Sequence, residues 1–212
     1  VSCVNALSEW LEGTVRRDGR RWRQRYERGT PVTELISLGE AEGHGTTVRF
    51  LPDDQIFEST EFSFAVLQKR FEELAYLNKG LRIVCVDERA NETHEYYAEG
   101  GIRQFVQDLN SGEQTIHAII AGSGLTDNVT VEFALQYNDK YKENVHTFAN
   151  NIRTVEGGTH LAGFKTALTR AINAYIKTQP DLVKKLKETV SIPVDIHSHY
   201  TAGLASMSLL KG

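Results

Sequence analysis

Two histidines one residue apart, His197 and His199, are the pair in this chain best spaced to hold a metal ion. On a strand, alternate residues point to the same side, so two imidazoles can converge on one divalent cation. A site of only two protein ligands also binds metal adventitiously, and both readings stay open. A second cluster is cationic: Arg16, Arg17, Arg20, Arg21, Arg23, Arg25 and Arg28 crowd around Asp18-Gly19. Guanidinium groups at that density suit a phosphate backbone. A solvated strand face balanced by Glu9, Glu12, Glu27 and Glu34 is the preferred account of them. The third candidate is a stripe, Thr166, Arg170, Asn173 and Lys177, at helical spacing with Lys165 at its margin. Gly43 and Gly45 lack the pattern and the strand–loop–helix setting of a phosphate cradle and predict a plain turn.

The elements that must hold these groups follow from periodicity. Val1, Val4, Leu7 and Leu11 recur at helical spacing and predict an amphipathic helix over 1–11. Asp18-Gly19 predicts a type I′ hairpin between strands at 14–17 and 20–26, because that turn needs positive φ at both central residues. In the second strand Trp22, Gln24 and Tyr26 alternate with the three arginines at 21, 23 and 25. A strand is expected at 46–51, then a helix marked by Phe64, Leu67, Phe71 and Leu74 and stopped near Gly80. The continuous apolar run 81–87 (LRIVCVD) predicts a strand buried on both faces. The polar run 88–94 (ERANETH) makes the best internal boundary. Strands are expected at 95–98, 115–121 and 128–137 and a helix at 101–109, with a polar loop over 136–144. In the long helix over 161–177, Leu161, Phe164, Leu168, Ile172 and Ile176 form an apolar stripe opposite the polar one. Before it, Gly157-Gly158 reads either as a hinge or as a tight turn with Thr159 as N-cap. Pro180 ends the helix. A helix over 181–190, a strand over 192–197 and a helix over 203–211 complete the expected α+β order.

Composition limits the alternatives. The chain has 212 residues, 40% of them hydrophobic and 25% charged, enough to bury a real core. Its net charge of −4 argues against coating nucleic acid by bulk charge, though not against a local basic face. Cys3 and Cys85 are too few for a disulfide scaffold, so a reducing cytoplasm is expected. No apolar run approaches the roughly 20 residues that span a bilayer, so no membrane partner is expected. The N-terminus lacks a signal-peptide pattern and an initiator Met, and it reads as a chain cut from something longer.

The stretch 150–177, NNIRTVEGGTHLAGFKTALTRAINAYIK, resembles the transducer signature of the DNA gyrase B family and other type IIA topoisomerases. VNALSEWLE (4–12), TVRRDG (14–19), GTTVRF (45–50), LRIVCVDER (81–89), EGGIRQFV (99–106) and ENVHTFANNI (143–152) fall in that family's order and spacing. The resemblance implies an incomplete GHKL (Bergerat) ATPase half over 1–91. A transducer of ribosomal S5 domain 2-like fold follows over 92–178, then a βα tail over 179–212. It implies ATP and Mg²⁺ as the family's cofactors, DNA and a gyrase A-type subunit as partners, and leaves a homodimer open. Thr46 matches the threonine that approaches adenine, while Lys165, Arg170 and Lys177 would face a passing DNA segment. The family's catalytic Glu, Mg²⁺-binding Asn, adenine-reading Asp and glycine-rich lid would precede residue 1. Its Gln-Thr-Lys switch has no counterpart here. Half a pocket predicts a chain silent in phosphoryl transfer by itself.

From Asp181 onward the chain resembles a different family, the carboxyltransferase barrel of oxaloacetate decarboxylase α subunits and pyruvate carboxylase. That resemblance implies divalent metal at His197 and His199 and proton handling at Thr201, without the Asp and modified Lys ligands of other barrel strands. A metal-dependent, biotin-linked carboxyltransferase fragment is therefore one alternative function. A non-catalytic chimeric folding module, whose 192–197 strand completes the transducer sheet with Ile192, Val194 and Ile196 inward, is another.

Overall fold

In the computed structural model, which describes residues 1–140, 144–179, 181 and 205–208 (the last four as backbone), Asp18 and Gly19 have φ of 55° and 73°. Both are positive, as a type I′ turn requires, and the turn joins β1 (Ser8–Arg17) to β2 (Arg20–Glu27). The contacts divide the chain into two units, Val1–Ser63 and Phe64–Gly212.

In the first unit β5 (Gly45–Pro52) pairs antiparallel with the other edge of β1. β3 (Thr30–Pro31) and β4 (Ile36–Glu40), which the sequence does not announce, pair with β2. The helix expected over 1–11 is only α1 (Ser2–Ala6). Its helical spacing is a coincidence: Leu11 is buried in the sheet, opposite Tyr26 on β2 and Phe50 on β5. The Ser8 hydroxyl donates to the carbonyl of Val4 as the chain leaves the helix. Pairing on both sides of β1 outweighs the marginal stability of a short helix.

The second unit begins with α2 (Phe64–Leu77), as expected, followed by a ribbon of β6 (Arg82–Asp87) and β7 (Glu92–Tyr97). Here the structure departs from expectation twice. The polar run 88–94 holds the connection of this hairpin, with Asn91 at φ 54°, and the first residues of β7. β6 is exposed at alternate residues instead of buried on both faces, because among the described residues only β7 pairs with it. Phe71 and Tyr96, with ring centroids 6.3 Å apart, tie α2 to the covered side.

The main core lies under α3 (Ile102–Leu109). Val106 and Phe105 pack with Ala134 of β9 (Val129–Leu135) and Phe148 of β10 (Thr147–Ala149), and Tyr76 of α2 stacks on Phe105 at 4.7 Å. β8 is Ile120–Thr126, several residues later than the expected 115–121; at Thr115 there is only a single bridge to Asn138. β10 turns into β11 (Ile152–Arg153) through Asn150 and Asn151, both at positive φ. α4 (Thr159–Lys177) closes the unit, with Phe164 5.5 Å from Phe133 of β9.

The sheet order is β11-β10-β12-β9-β8, where β12 is Ala205–Ser208. β12 runs parallel to β10 and antiparallel to β9. A helix was expected over 203–211; residues 205–208 are instead a strand, because open ladder edges on both sides satisfy its backbone. The expected 181–190 helix and 192–197 strand, with Ile192, Val194 and Ile196, lie outside the described residues apart from helical Asp181. The class is α+β.

Candidate functional site

In the first unit the alternation of β1, β2 and β5 separates two surfaces. One carries Leu11, Val15, Trp22, Tyr26, Val48 and Phe50, and Thr46 lies on it, directly opposite Val15. Thr46 is exposed. It shares this face with apolar neighbours. Among the described residues no group of three or more His, Cys, Asp or Glu side chains gathers in one place. His197, His199 and Thr201 lie outside the described residues.

Arg28 and Asp53 brace the base of this sheet. The Arg28 Nε donates to Asp53 Oδ2 at 2.6 Å, and the Gln55 amide donates to Oδ1 at 3.0 Å. Asp53 is only 1% exposed, and the Arg28 hydrogen bond holds its carboxyl below the usual range.

In the second unit the loop before α4 is pinned at several points. Thr147 Oγ1 and Thr154 Oγ1 share a hydrogen bond of 2.6 Å, and Thr154 Oγ1 lies 3.1 Å from His160 Nε2. Gly157 and Gly158 take φ of 77° and 146°. A methyl group on Gly158 would come within 2.8 Å of the His160 ring, and one on Gly157 within 3.1 Å of a Leu161 methyl. The glycines are thus required by a close turn. The cap residue is Gly158, without a side-chain cap bond, so Thr159 is the first helical residue and not the expected N-cap.

α4 presents the two stripes read from the sequence. Leu161, Phe164, Leu168, Ile172 and Ile176 are half-buried, whereas Lys165, Thr166, Arg170, Asn173 and Lys177 are exposed. The helix brings Arg170 and Lys177 to one face; Thr46 belongs to the other unit.

A network invisible to sequence reasoning joins α2 to the Asn150-Asn151 turn. Arg70 donates to the Asn151 carbonyl at 2.6 Å, Asn151 donates to Asn78 at 3.0 Å, and Glu73 accepts from both Arg70 and Arg153 at 3.4 Å. Beside it, a cavity of about 300 Å³ is lined by Lys69, Tyr76, Asp108 and His146 among others. His146 packs edge-on against Phe105, and burial pushes its imidazole pKa down, with Arg153 and Lys69 adding to the effect. No local motif marks the bonds from α2 to this turn and to Arg153, because their partners are 73 to 81 positions apart.

Comparison with known proteins places this architecture. The family model described as DNA gyrase B matches residues 101–206, half of the chain. The chain belongs to the DNA gyrase B family. It is 48% identical over 179 residues to the DNA gyrase B protein of Clostridium acetobutylicum, covering 84% of this chain and 28% of that one. It is 45% identical over 206 residues to the gyrase B protein of Archaeoglobus fulgidus, covering 95% and 32%. The chain therefore spans about a third or less of the relatives it matches. The 43K ATPase domain of Thermus thermophilus gyrase B, solved in complex with an aminocoumarin, superposes with a TM-score of 0.82 at 33% identity, over 98% of this chain and 57% of that one. This is the GHKL-type architecture of gyrase B ATPase domains. The gyrase B match continues to residue 206, across most of the segment whose sequence suggests a carboxyltransferase. That resemblance, and the alternative function built on it, find no support.

Proposed function

We propose that the chain is part of the ATPase and transducer region of a gyrase B-type protein of the type IIA topoisomerases, with residues 1–91 on the ATPase side and 92–178 forming the transducer. In the whole protein this region couples ATP binding and hydrolysis, with Mg²⁺, to DNA strand passage in the cytoplasm alongside a gyrase A-type partner. The observation that carries the reading is the likeness along 98% of the chain to a gyrase B ATPase domain. Among the described residues no helix is long and apolar enough to cross a membrane, which fits it.

The residues assigned to the work are few. Thr46 would hydrogen-bond on the adenine side of the nucleotide. Lys165, Arg170 and Lys177, on the exposed stripe of α4, would contact phosphates of the passing DNA. The chain spans about a third or less of the relatives it matches, so hydrolysis is assigned to the whole protein. The test is a chimera in which this chain replaces the matching segment of the Clostridium acetobutylicum gyrase B protein. ATP-dependent supercoiling with the gyrase A partner is expected, and the charge-reversed Arg170→Glu/Lys177→Glu version should lose DNA-stimulated turnover. A correctly folded chimera that binds the gyrase A partner yet never supercoils would refute the assignment.

A further inference from the structure

The side of the first unit's sheet opposite Thr46 is cationic in a way its register makes explicit. Alternation on β2 puts Arg21, Arg23 and Arg25 on that side. The β1 register sets Arg16 directly opposite Arg21, and Glu12 opposite Arg25. β5 adds Arg49, opposite Glu12. Glu27 is the other carboxylate on this side, giving five arginines against two glutamates. Arg25 lies 4.0 Å from Glu27 and over the Trp10 ring at 4.7 Å. Arg16, Arg21, Arg23 and Arg49 have no ion-pair partner among the described residues. Arg16, Arg21 and Arg49 are exposed. Arg16 extends over Gly45, where a methyl group would lie 3.3 Å from its guanidinium.

Like charges directly opposite one another weaken a sheet. The hairpin nevertheless holds two such pairs, Arg16 with Arg21 here and Arg17 with Arg20 on the other side, of which Arg17 is relieved by Asp18 at 3.3 Å. The arrangement is balanced when a regular anion covers the face. Successive arginines on β2 stand roughly 6.8 Å apart along the strand. A nucleic-acid strand carries a charge every ~3.4 Å of axis, so the row from Arg21 to Arg25 runs along about four phosphates. Planar guanidinium forks suit phosphate oxygens better than ammonium groups do.

We infer that the Arg16, Arg21, Arg23, Arg25 and Arg49 face binds the phosphate backbone of duplex DNA, as a second DNA-facing surface distinct from α4. The inference rests on the proposed topoisomerase role only for the choice of duplex over other nucleic acids.

The test uses the full chain and a fluorescein-labelled duplex of arbitrary sequence, with anisotropy read between 50 and 200 mM salt. Arg21→Gln/Arg23→Gln should lower the slope of log affinity against log salt by about 1.8. It should weaken binding at 100 mM salt by about 60-fold, the loss of two counterion-releasing contacts. Arg21→Lys/Arg23→Lys should keep the slope. Arg170→Gln/Lys177→Gln is measured in parallel. If only the α4 variant loses affinity, this inference is overturned while the α4 assignment stands; if only the sheet variant does, the reverse holds. Unchanged slope in a sheet variant with a wild-type thermal melt, no binding by the wild-type chain, or poly-glutamate competing as well as duplex at equal charge would each overturn it.

Discussion

Replacing Gly158 by alanine tests whether the loop before α4 is a close turn or a free hinge. Gly158 sits at φ 146°, ψ 178°, a region that only glycine enters freely and that costs another residue about 1–3 kcal/mol. The new methyl group would also press to 2.8 Å on the His160 ring, displacing it from Thr154 and losing a hydrogen bond worth about 1 kcal/mol. Together the substitution should destabilise the second unit by roughly 2–4 kcal/mol, and each kcal/mol should lower Tm by roughly 2–4 °C at this size. Urea unfolding followed by circular dichroism gives the free energy. In a His160→Ala background the steric part disappears, so the penalty of Gly158→Ala should shrink by about 1 kcal/mol, a coupling that a double-mutant cycle reads directly. A hinge makes the opposite forecast: a floppy glycine accepts alanine with little loss. Gly158→Ala within about 0.5 kcal/mol of wild type, with no coupling to His160, would refute the close-turn argument.

Two further outcomes concern pH. His146 has its folded pKa depressed by burial, so on acidification the unfolded chain takes up the proton first. Stability is fully present above the unfolded pKa of about 6.5 and declines below it, down to the folded value. His146→Phe should flatten stability between pH 7 and 5, and imidazole NMR titration should report the lowered value directly. Asp53, held low by Arg28, contributes stability that is present above its unfolded pKa of about 4 and is lost as pH falls through the folded value. Arg28→Met should weaken the fold at pH 7 and make melts between pH 2 and 5 less sensitive to acid; an undiminished acid response would rule out the pair as its source.

Features governed by a few neighbouring residues were legible in the sequence. Asp18-Gly19 announces its turn because backbone chirality leaves few residues able to take positive φ twice. The α4 stripes follow from a helix long enough to average its periodicity, and several dispersed motifs in order carry the family. Features settled by distant pairing were not legible. LRIVCVD reads as a doubly buried strand, yet β6 has one neighbour among the described residues. Val4, Leu7 and Leu11 fit a helix until two flanking strands claim Leu11. Ala-Ser-Met-Ser has no β-branched residue, and β12 is a strand through its neighbours alone. The cationic face lies between these cases. A two-residue turn at Asp18-Gly19 already dictates that Arg16 meets Arg21, but Arg49 joins them only through pairing with β5.

β12 has one more consequence, for the order of assembly. As the chain is synthesised, the β8–β9 hairpin and the β10–β11 hairpin emerge well before Ala205–Ser208, and each holds an open edge where β12 will lie. Among the described residues β12 is the strand that links the two hairpins in one ladder, so closure of the sheet depends on contacts between distant parts of the chain and should be slow. Until then both edges remain templates for pairing with other chains.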